Sequence, residues 1–285
     1  MKSSNNKFIG FGLRETPHDD RDFQLGAIVK LPPLENLAKE FSLKSTKVKD
    51  QGDTDFCSAY ATCSISEIQE EVELDPLWSF AVSKMISGNA EEWGQDIRSA
   101  LKGHTKYGAI KTEDSSFSIA NADISRYIDK WPEQLFNIAK IHKKKTFFKV
   151  SGQYDHYDNI RASIWHFRAK KQGVVLGIKW QWPSIDVILR GMEDFGFGHM
   201  IAGIGWDHRG IKLQNSAGVN AGENGFHYMP REEVNHFVEK YGAYMLVDMD
   251  REDAEHMIYH GIKSSDNWFT GFIKTIKKII SELYA

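Results

Sequence analysis

The chain contains 285 residues, of which 41% are hydrophobic, and carries a formal net charge of −3. This size and composition are typical of a globular chain with one bilobal core or two small domains. The sequence pI of about 6.4 and the scattered basic residues argue against a nucleic-acid partner. Because no apolar run has the length of a membrane span and no segment has the pattern of a signal peptide, we expect a cytoplasmic protein or one carried within an assembly.

The first segment, residues 1–30, is a polar and charged N-terminal extension. Chain ends of this composition are often mobile unless they are tied to the domain. We interpret the extension as an ordered strap, and a short segment that is trimmed during maturation is the alternative. The proline pair that follows, Pro32-Pro33, indicates the start of the main domain.

Cys57 lies where a polar, glycine-containing turn runs into a helical pattern. A thiol in the first turn of a helix faces unpaired backbone N–H groups and the positive end of the helix dipole, and both favour the thiolate. Cys57 is therefore predicted to be a nucleophile. Gln51, in the turn just upstream, is predicted to donate a hydrogen bond to the oxyanion that forms when Cys57 attacks a carbonyl group.

Helical periodicity continues to about residue 145, so residues 31–145 are predicted to form a helical lobe. Its central helix is expected over residues 57–72, with Glu67 on the wet side. The core-facing residues are predicted at helical spacing, namely Ala61, Ile65 and Ile68. Cys63 is expected to be a small core residue, and no disulfide with Cys57 is predicted because the two side chains point in different directions.

Strand patterns dominate residues 146–250, which are predicted to form an antiparallel β-barrel lobe. Strands are expected at residues 146–151, 173–179, 199–205, 210–214, 225–229 and 243–248, with one helix over residues 158–171. A helical lobe followed by a barrel lobe predicts an α+β fold of two lobes with a cleft between them. Substrate would lie extended across that cleft.

Two polar residues lie at strand ends in this second lobe. His199 opens one predicted strand, and Asn215 follows the next. If these strands form an antiparallel hairpin, both side chains lie at the same end of it. A cysteine nucleophile needs a base and the base needs an orienting partner, so His199 is predicted to be the base and Asn215 its partner. Phe197 and Gly198 precede the histidine, and they either line a pocket for an apolar side chain or cap the barrel.

Three blocks of this sequence resemble papain-like cysteine peptidases. The pair Gln51-Gly52 with Cys57 matches the family's glutamine-glycine turn and nucleophile, and His199 with Asn215 matches its base and orienting residue. The segment NSAGVNAGENGF, which begins at Asn215, follows the family's NSWG…WGENGY pattern without a gap. Three blocks in the same order are a specific signal.

The resemblance implies a papain-like two-lobed fold and a thiol endopeptidase that hydrolyses protein or peptide substrates. It implies a Cys57-His199-Asn215 triad with Gln51 in the oxyanion hole and no cofactor. It also implies that Gly94 and Gln95 hold the substrate backbone beside the cleft, although a simple helix-entry loop is the alternative for these two residues.

Departures from the family pattern keep other functions open. Thr54 stands where extracellular members have a disulfide cysteine, and this favours a reducing compartment. Ala217 and Ala221 stand where the family has tryptophans. The tryptophan at position 217 shields the family's asparagine–imidazole hydrogen bond from water, so in this chain the bond between Asn215 and His199 is predicted to be wetter and weaker. A catalytically silent papain-like module with a binding role is the main alternative, and an amidase or transferase is the second.

The C-terminal segment, residues 251–285, is predicted to form an amphipathic helical tail. Packing on its own domain is favoured over docking to a partner protein, and contact with a membrane surface ranks last. His256 and His260 have a spacing that can bind zinc, but the adjacent glutamate of the metalloprotease motif is missing on the required side. No metal site is therefore predicted.

Overall fold

The computed structural model describes residues 12–16, 19, 22–180, 186–190 and 197–247. Helices dominate the first part of the chain. The helices of the described residues are α1 Leu25–Ile28, α2 Cys57–Glu70, α3 Pro76–Ser87, α4 Ile97–Lys106, α5 Ala122–Ser125, α6 Leu135–Ala139, α7 His156–His166 and α8 Arg231–Tyr241, the last two lying among the strands. Single 3₁₀ turns lie at Leu34–Asn36, Thr112–Asp114, Ile119–Asn121, Ile128–Lys130, Lys140–His142 and Arg168–Lys170.

The strands of the described residues form one antiparallel sheet. They are β1 Phe41–Ser42, β2 Thr146–Lys149, β3 Val174–Trp180, β4 Phe197–Asp207, β5 Gly210–Gln214, β6 Phe226–Met229 and β7 Ala243–Val247. Their order is β2-β7-β3-β4-β5-β6, and β1 pairs with β4. The predicted α+β class is confirmed. Within these ranges, the predicted barrel takes the form of a sheet with β2 and β6 at its two ends.

Helix α2 is buried on nearly all sides because two apolar clusters pack against it. One face carries the three residues predicted to point into the core, Ala61, Ile65 and Ile68, and these residues join the cluster built around the sheet. The other face contributes Ala59 and Tyr60 to a second cluster, which includes Trp78 and Phe80 of α3. The helix is therefore fixed from both sides, and its first turn has a defined place.

Glu67 contradicts the expectation that it lies on a wet face of the central helix. Its carboxylate is fully buried and forms an ion pair with Lys49. It also accepts hydrogen bonds from the Thr46 hydroxyl at 2.9 Å and from the Leu74 backbone N–H at 2.7 Å. Burial raises the pKa of Glu67, and Lys49 opposes that shift. Helical periodicity misplaced this residue because the chain segments that cover it come from outside the helix.

Residues 22–31 lie packed against the sheet rather than apart from it. Leu25, Val29 and Leu31 belong to the cluster built around the sheet, and the Lys149 backbone N–H donates to the Phe23 carbonyl at 2.9 Å. Strand β1 also precedes α2 in the chain and yet pairs with β4. The segments before the central helix therefore contribute to the second half of the fold.

Several sequence-based expectations concern residues outside the described ranges. The predicted C-terminal tail, residues 251–285, with His256 and His260, lies outside them. Residues 1–11, 17–18 and 20–21 of the N-terminal extension lie outside them as well. None of the helices in the described ranges combines the length and apolar character that a bilayer-spanning segment needs.

The packing of α2 on the sheet predicts a stability change. Ile65 is fully buried, so Ile65→Ala should lower the free energy of unfolding by about 2–5 kcal/mol through lost burial and a cavity. Ile141 is 77% exposed, and Ile141→Ala is the matched control, with an expected change within about 0.5 kcal/mol. Urea denaturation measures both. Equal effects for the two variants would contradict this assignment of the core.

Candidate active site

Cys57 is the first residue of helix α2, as the sequence predicted, but its thiol is fully buried. Backbone hydrogen bonds from Met200, Gly12 and Ser58 act on the sulfur and lower its pKa, whereas burial, the largest influence, raises the pKa to about 12. The backbone donors therefore favour the thiolate, as expected, but they do not produce one in this conformation. Loss of solvation outweighs the helix dipole and the backbone donors.

The predicted hairpin is confirmed, because β4 and β5 pair antiparallel. His199 lies in β4, and Asn215 follows β5. The Nε2 atom of His199 is 2.9 Å from Oδ1 of Asn215. Burial lowers the pKa of His199 to about 4, and the Asn215 hydrogen bond opposes that shift. The sulfur of Cys57 lies against Met200, the residue next to this histidine.

The hydrogen bond between His199 and Asn215 is shielded from water although position 217 is an alanine. His199 is 4% exposed and Asn215 is 3% exposed. Trp180, at the end of β3, packs against the His199 ring with 5.3 Å between centroids. Ala217 instead pairs its backbone with Asp50. The expectation of a wetter bond is wrong, because both side chains are buried and a tryptophan from a different strand packs on the His199 ring.

Gln51 joins the turn before α2 to the segment that carries Asn215. Its backbone N–H donates to the Ser216 carbonyl at 2.8 Å, and the Ser216 hydroxyl donates to its Oε1. The side-chain amide of Gln51 donates to the Thr54 carbonyl at 2.8 Å. These contacts fix the Gln51 side chain and turn its amide nitrogen toward the loop that leads to Cys57.

Residues 12–14 of the N-terminal extension form an extended segment above Cys57, between two stretches of backbone that we call the walls. From here on, the strap means these three residues. On one wall, the Gln95 N–H donates to the Gly12 carbonyl at 2.6 Å, and the Arg14 N–H donates to the Gln95 carbonyl at 3.1 Å. On the other wall, the Leu13 N–H donates to the Gly198 carbonyl at 2.9 Å. Residues predicted to bind substrate thus bind the chain's own peptide.

Glycine is required where the strap passes. A Cβ on Gly94 would lie 2.2 Å from the Gly12 carbonyl oxygen, and a Cβ on Gly198 would lie 2.3 Å from that of Leu13. A Cβ on Gly177 would lie 2.7 Å from the Leu13 side chain. The walls are therefore shaped for close approach of a peptide backbone and one apolar side chain.

This geometry was compared with known proteins. No protein-family model and no curated protein sequence matches the chain. Solved structures do match: xylellain, a cysteine protease from Xylella fastidiosa, is 20% identical, with a TM-score of 0.69 over 88% of this chain and 100% of that one. The chain has the papain-like fold.

Two further solved structures support this assignment of the fold. Digestive procathepsin L 3 of Tenebrio molitor larval midgut is 15% identical, with a TM-score of 0.62 over 84% of this chain and 77% of that one. The Carica candamarcensis cysteine protease CMS1MS2 is 15% identical, with a TM-score of 0.55 over 75% of this chain and 100% of that one. Identities this low establish a shared papain-like fold alone.

A cavity of about 790 Å³ adjoins the start of α2 in this papain-like fold. Its lining includes three exposed apolar side chains, those of Trp93, Ile119 and Phe197, and the acidic residues Asp53 and Asp123. Phe197 was predicted either to line a pocket for an apolar side chain or to cap the barrel. Its 44% exposure and its place in this lining favour the first role.

Three charged side chains hold the loop that faces the strap. Lys84 donates to the carbonyls of Glu92 and Gly94, and burial lowers its pKa to about 8. The fully buried Asp55 accepts from the Gly94 N–H and from Arg126 at 2.8 Å. Sequence analysis missed these residues because their contacts join distant positions and follow no local spacing.

A second thiol–imidazole pair lies in the helical part of the fold. The Cys63 sulfur is 4.0 Å from Nε2 of His104, and both residues are fully buried. The Ser79 and Ser66 hydroxyls bond the two ring nitrogens of His104 at 3.0 and 3.1 Å. Burial raises the pKa of Cys63 to about 12 and lowers that of His104 to about 3. Cys63 belongs to a small apolar cluster with Leu74 and Ala109, which agrees with the prediction that it is a core residue.

Within the described ranges, no three histidine, cysteine or acidic side chains come together as a metal site would require.

The neutral, buried His104 predicts an acid-dependent loss of stability. Its pKa is about 3 in the folded chain, against about 6.5 when unfolded. As the pH falls below about 6.5, the unfolded chain binds a proton that the folded chain does not. Each further drop of one pH unit then lowers the free energy of unfolding by about 1.4 kcal/mol through this residue. Between pH 6 and 4, the free energy of unfolding measured by urea denaturation should fall less steeply with decreasing pH in His104→Gln than in the unaltered chain.

The exposed His208→Gln provides the matched control for this measurement. An unchanged slope in His104→Gln would show that His104 does not remain neutral in the folded chain.

Proposed function

We propose that this chain is a papain-like cysteine endopeptidase whose cleft is closed by its own strap. The observation that supports this function best is the way residues 12–14 are held. An extended peptide passes directly over Cys57 and bonds its backbone to Gln95 on one wall and Gly198 on the other. Backbone recognition of this kind accepts any extended peptide, so a protein or peptide substrate could occupy the same groups once the strap has left.

The proposed reaction begins when solvent returns to the cleft. His199 bonds Asn215 through Nε2, so its Nδ1 is the atom that accepts the proton from the Cys57 sulfur. The thiolate then attacks a peptide carbonyl carbon. In the tetrahedral intermediate, the negative oxygen accepts hydrogen bonds from the Gln51 amide and the Cys57 backbone N–H.

Collapse of the intermediate breaks the peptide C–N bond. The imidazolium of His199 gives its proton to the leaving amine, and an acyl group remains on the sulfur. His199 then removes a proton from water, the resulting hydroxide attacks the thioester, and the carboxylic acid leaves as the thiol is restored. Asn215 keeps the ring aligned through both halves of the reaction.

The strapped conformation is inactive in this proposal because both reacting groups are neutral. Burial holds the pKa of Cys57 near 12 and that of His199 near 4. At neutral pH, the proton therefore stays on sulfur and no ion pair forms. Removing the strap restores water to the sulfur, which reverses the largest influence on the thiol pKa.

A catalytically silent module with a binding role is the second candidate function. The fully buried thiol of Cys57 favours it, since a protein that never exposes its sulfur has no nucleophile. The silent module predicts that Cys57 stays unreactive however the strap is altered, whereas the peptidase predicts that the sulfur becomes reactive when the strap is displaced.

Displacing the strap is therefore the first test. Leu13 is buried against β3, so Leu13→Asp should expel the strap, because burying a carboxylate costs several kcal/mol. We expect an aromatic disulfide reagent to modify Cys57 about a hundredfold faster, the gain in thiolate when the thiol pKa falls by about two, together with hydrolysis of a peptide library.

Leu13→Met is the matched control for this test and should keep the cleft closed, because the volume is conserved. If Leu13→Asp does not fold, Gly12→Ala replaces it, since a Cβ at Gly12 would lie 2.0 Å from the Asp55 carbonyl oxygen and exclude the strap. A displaced strap without any thiol reactivity would favour the silent module.

The identity of the nucleophile is the second test. In the full chain carrying Leu13→Asp, a further Cys57→Ala substitution should abolish hydrolysis and leave the fold intact, because one small side chain replaces another. Cys63→Ala should retain activity within a few-fold. Reversal of these two results would assign catalysis to the Cys63–His104 pair instead, and peptide digestion followed by mass spectrometry distinguishes the outcomes.

A further inference from the structure

Asn215 lies between two histidines in a chain of hydrogen bonds that runs away from the cleft. Its Oδ1 is 2.9 Å from Nε2 of His199, and its Nδ2 is 3.3 Å from Nε2 of His227 on β6. The other ring nitrogen of His227, Nδ1, is 2.7 Å from the backbone carbonyl oxygen of Asp186. The network therefore links the imidazole at the cleft to a main-chain group behind it.

The donors and acceptors in this chain can be assigned from its fixed end. The Asp186 carbonyl only accepts, so Nδ1 of His227 must carry a hydrogen. In a neutral ring, Nε2 of His227 is then an acceptor, and it takes a hydrogen from the Asn215 NH₂ group. Oδ1 of Asn215 therefore faces His199, and Nε2 of His199 must be the donor.

An independent contact agrees with this assignment. The Ser216 backbone N–H donates to Oδ1 of Asn215 at 2.8 Å, so that atom is an acceptor from two directions. With hydrogen on Nε2, the neutral ring of His199 has its lone pair on Nδ1. This tautomer is the one that can accept a proton from a thiol.

We propose that His227 is a positioning residue that fixes the Asn215 amide and, through it, the tautomer and orientation of His199. This inference rests on the proposed function, because the tautomer matters when His199 acts as a base. The hydrogen bonds of His227 go to Asn215 and to the Asp186 carbonyl, so it acts on His199 through Asn215.

The surroundings of His227 keep its ring in place. The side chain is fully buried, and the Trp180 ring meets it edge-on at 4.9 Å while also packing on His199. Gly222 leaves room for the imidazole, since a Cβ there would lie 2.6 Å from its Cε1. Trp180 and His227 together occupy the region behind Asn215.

Burial lowers the pKa of His227, and the Asp186 carbonyl bond and carboxylate oppose that shift. The other titratable group that faces it is His199, whose own pKa is lowered by His227. A neutral His227 is an acceptor at Nε2, whereas a protonated one would present a hydrogen to the Asn215 NH₂ group. The amide would then have to turn, which would place its NH₂ against the Nε2–H of His199.

Imidazole ¹⁵N NMR on the full chain tests the network without reference to activity. We expect the Nε2–H tautomer for His199 and the Nδ1–H tautomer for His227, with single-histidine variants used for assignment. In His227→Phe, which removes the acceptor and keeps an aromatic ring, His199 should become a mixture of tautomers. His227→Gln can accept from Asn215 and donate to Asp186, so it should restore the Nε2–H form. An unchanged His199 tautomer in His227→Phe would overturn the proposal.

Kinetics in the Leu13→Asp background give the second readout. His227→Phe should lower kcat/KM about tenfold, the factor expected when one orienting hydrogen bond is lost, and His227→Gln should recover most of that loss. In an Asn215→Ala background, His227→Phe should have no further effect, whereas a merely structural role would lower activity again. The pH profile of kcat/KM for His227→Gln should also extend to lower pH, because glutamine, unlike His227, is not protonated in acid.

If no variant hydrolyses peptides, the proposed function fails while the NMR measurement still decides the role of His227. Equal losses for His227→Phe in the presence and absence of Asn215 would overturn the proposal even in an active enzyme.

Discussion

The enclosure of helix α2 between two apolar clusters is the constraint on which the rest of the structure depends. One face packs on the sheet and the other on α3, so the helix can neither slide nor rotate without opening a cavity. Its first residue, Cys57, is therefore held at the boundary between the two parts of the fold. The walls of the cleft, which end at Gly94 and Gly198, take their positions from elements packed on either side of this helix.

Solvation decides the chemical state of that first residue. A helix terminus and backbone donors from three directions favour a thiolate, but none of them compensates for the removal of water from the sulfur. The same effect keeps His199 neutral. Since the strap contributes to this enclosure, the ionisation of the site is coupled to the position of residues 12–14. In the proposed function, a short peptide segment in this way controls the reaction by setting the ionisation of the reacting groups.

Polar contacts inside the fold then give the site its geometry. The buried Asp55 and its partner Arg126 hold the loop that binds the strap on one wall. On the other wall, the hydrogen bonds between His199, Asn215 and His227 leave a single consistent arrangement of hydrogens. Buried networks of this kind specify one geometry because every alternative leaves a donor or an acceptor unpaired. Trp180, from another strand, packs on the His199 ring and keeps it buried although position 217 is an alanine.

The sequence by itself determined a helical first part followed by antiparallel strands, the start of α2 at Cys57 and the hairpin that joins His199 to Asn215. These features follow from local periodicity and short spacing, which a chain carries wherever it folds. Only the tertiary structure decided that Glu67 is buried, that the thiol is neutral, that Leu13 occupies the cleft, and that His227 and Asp186 stand behind Asn215. Each of these depends on which distant segments exclude water from a given atom, and desolvation and long-range hydrogen bonds leave no periodic trace in the sequence.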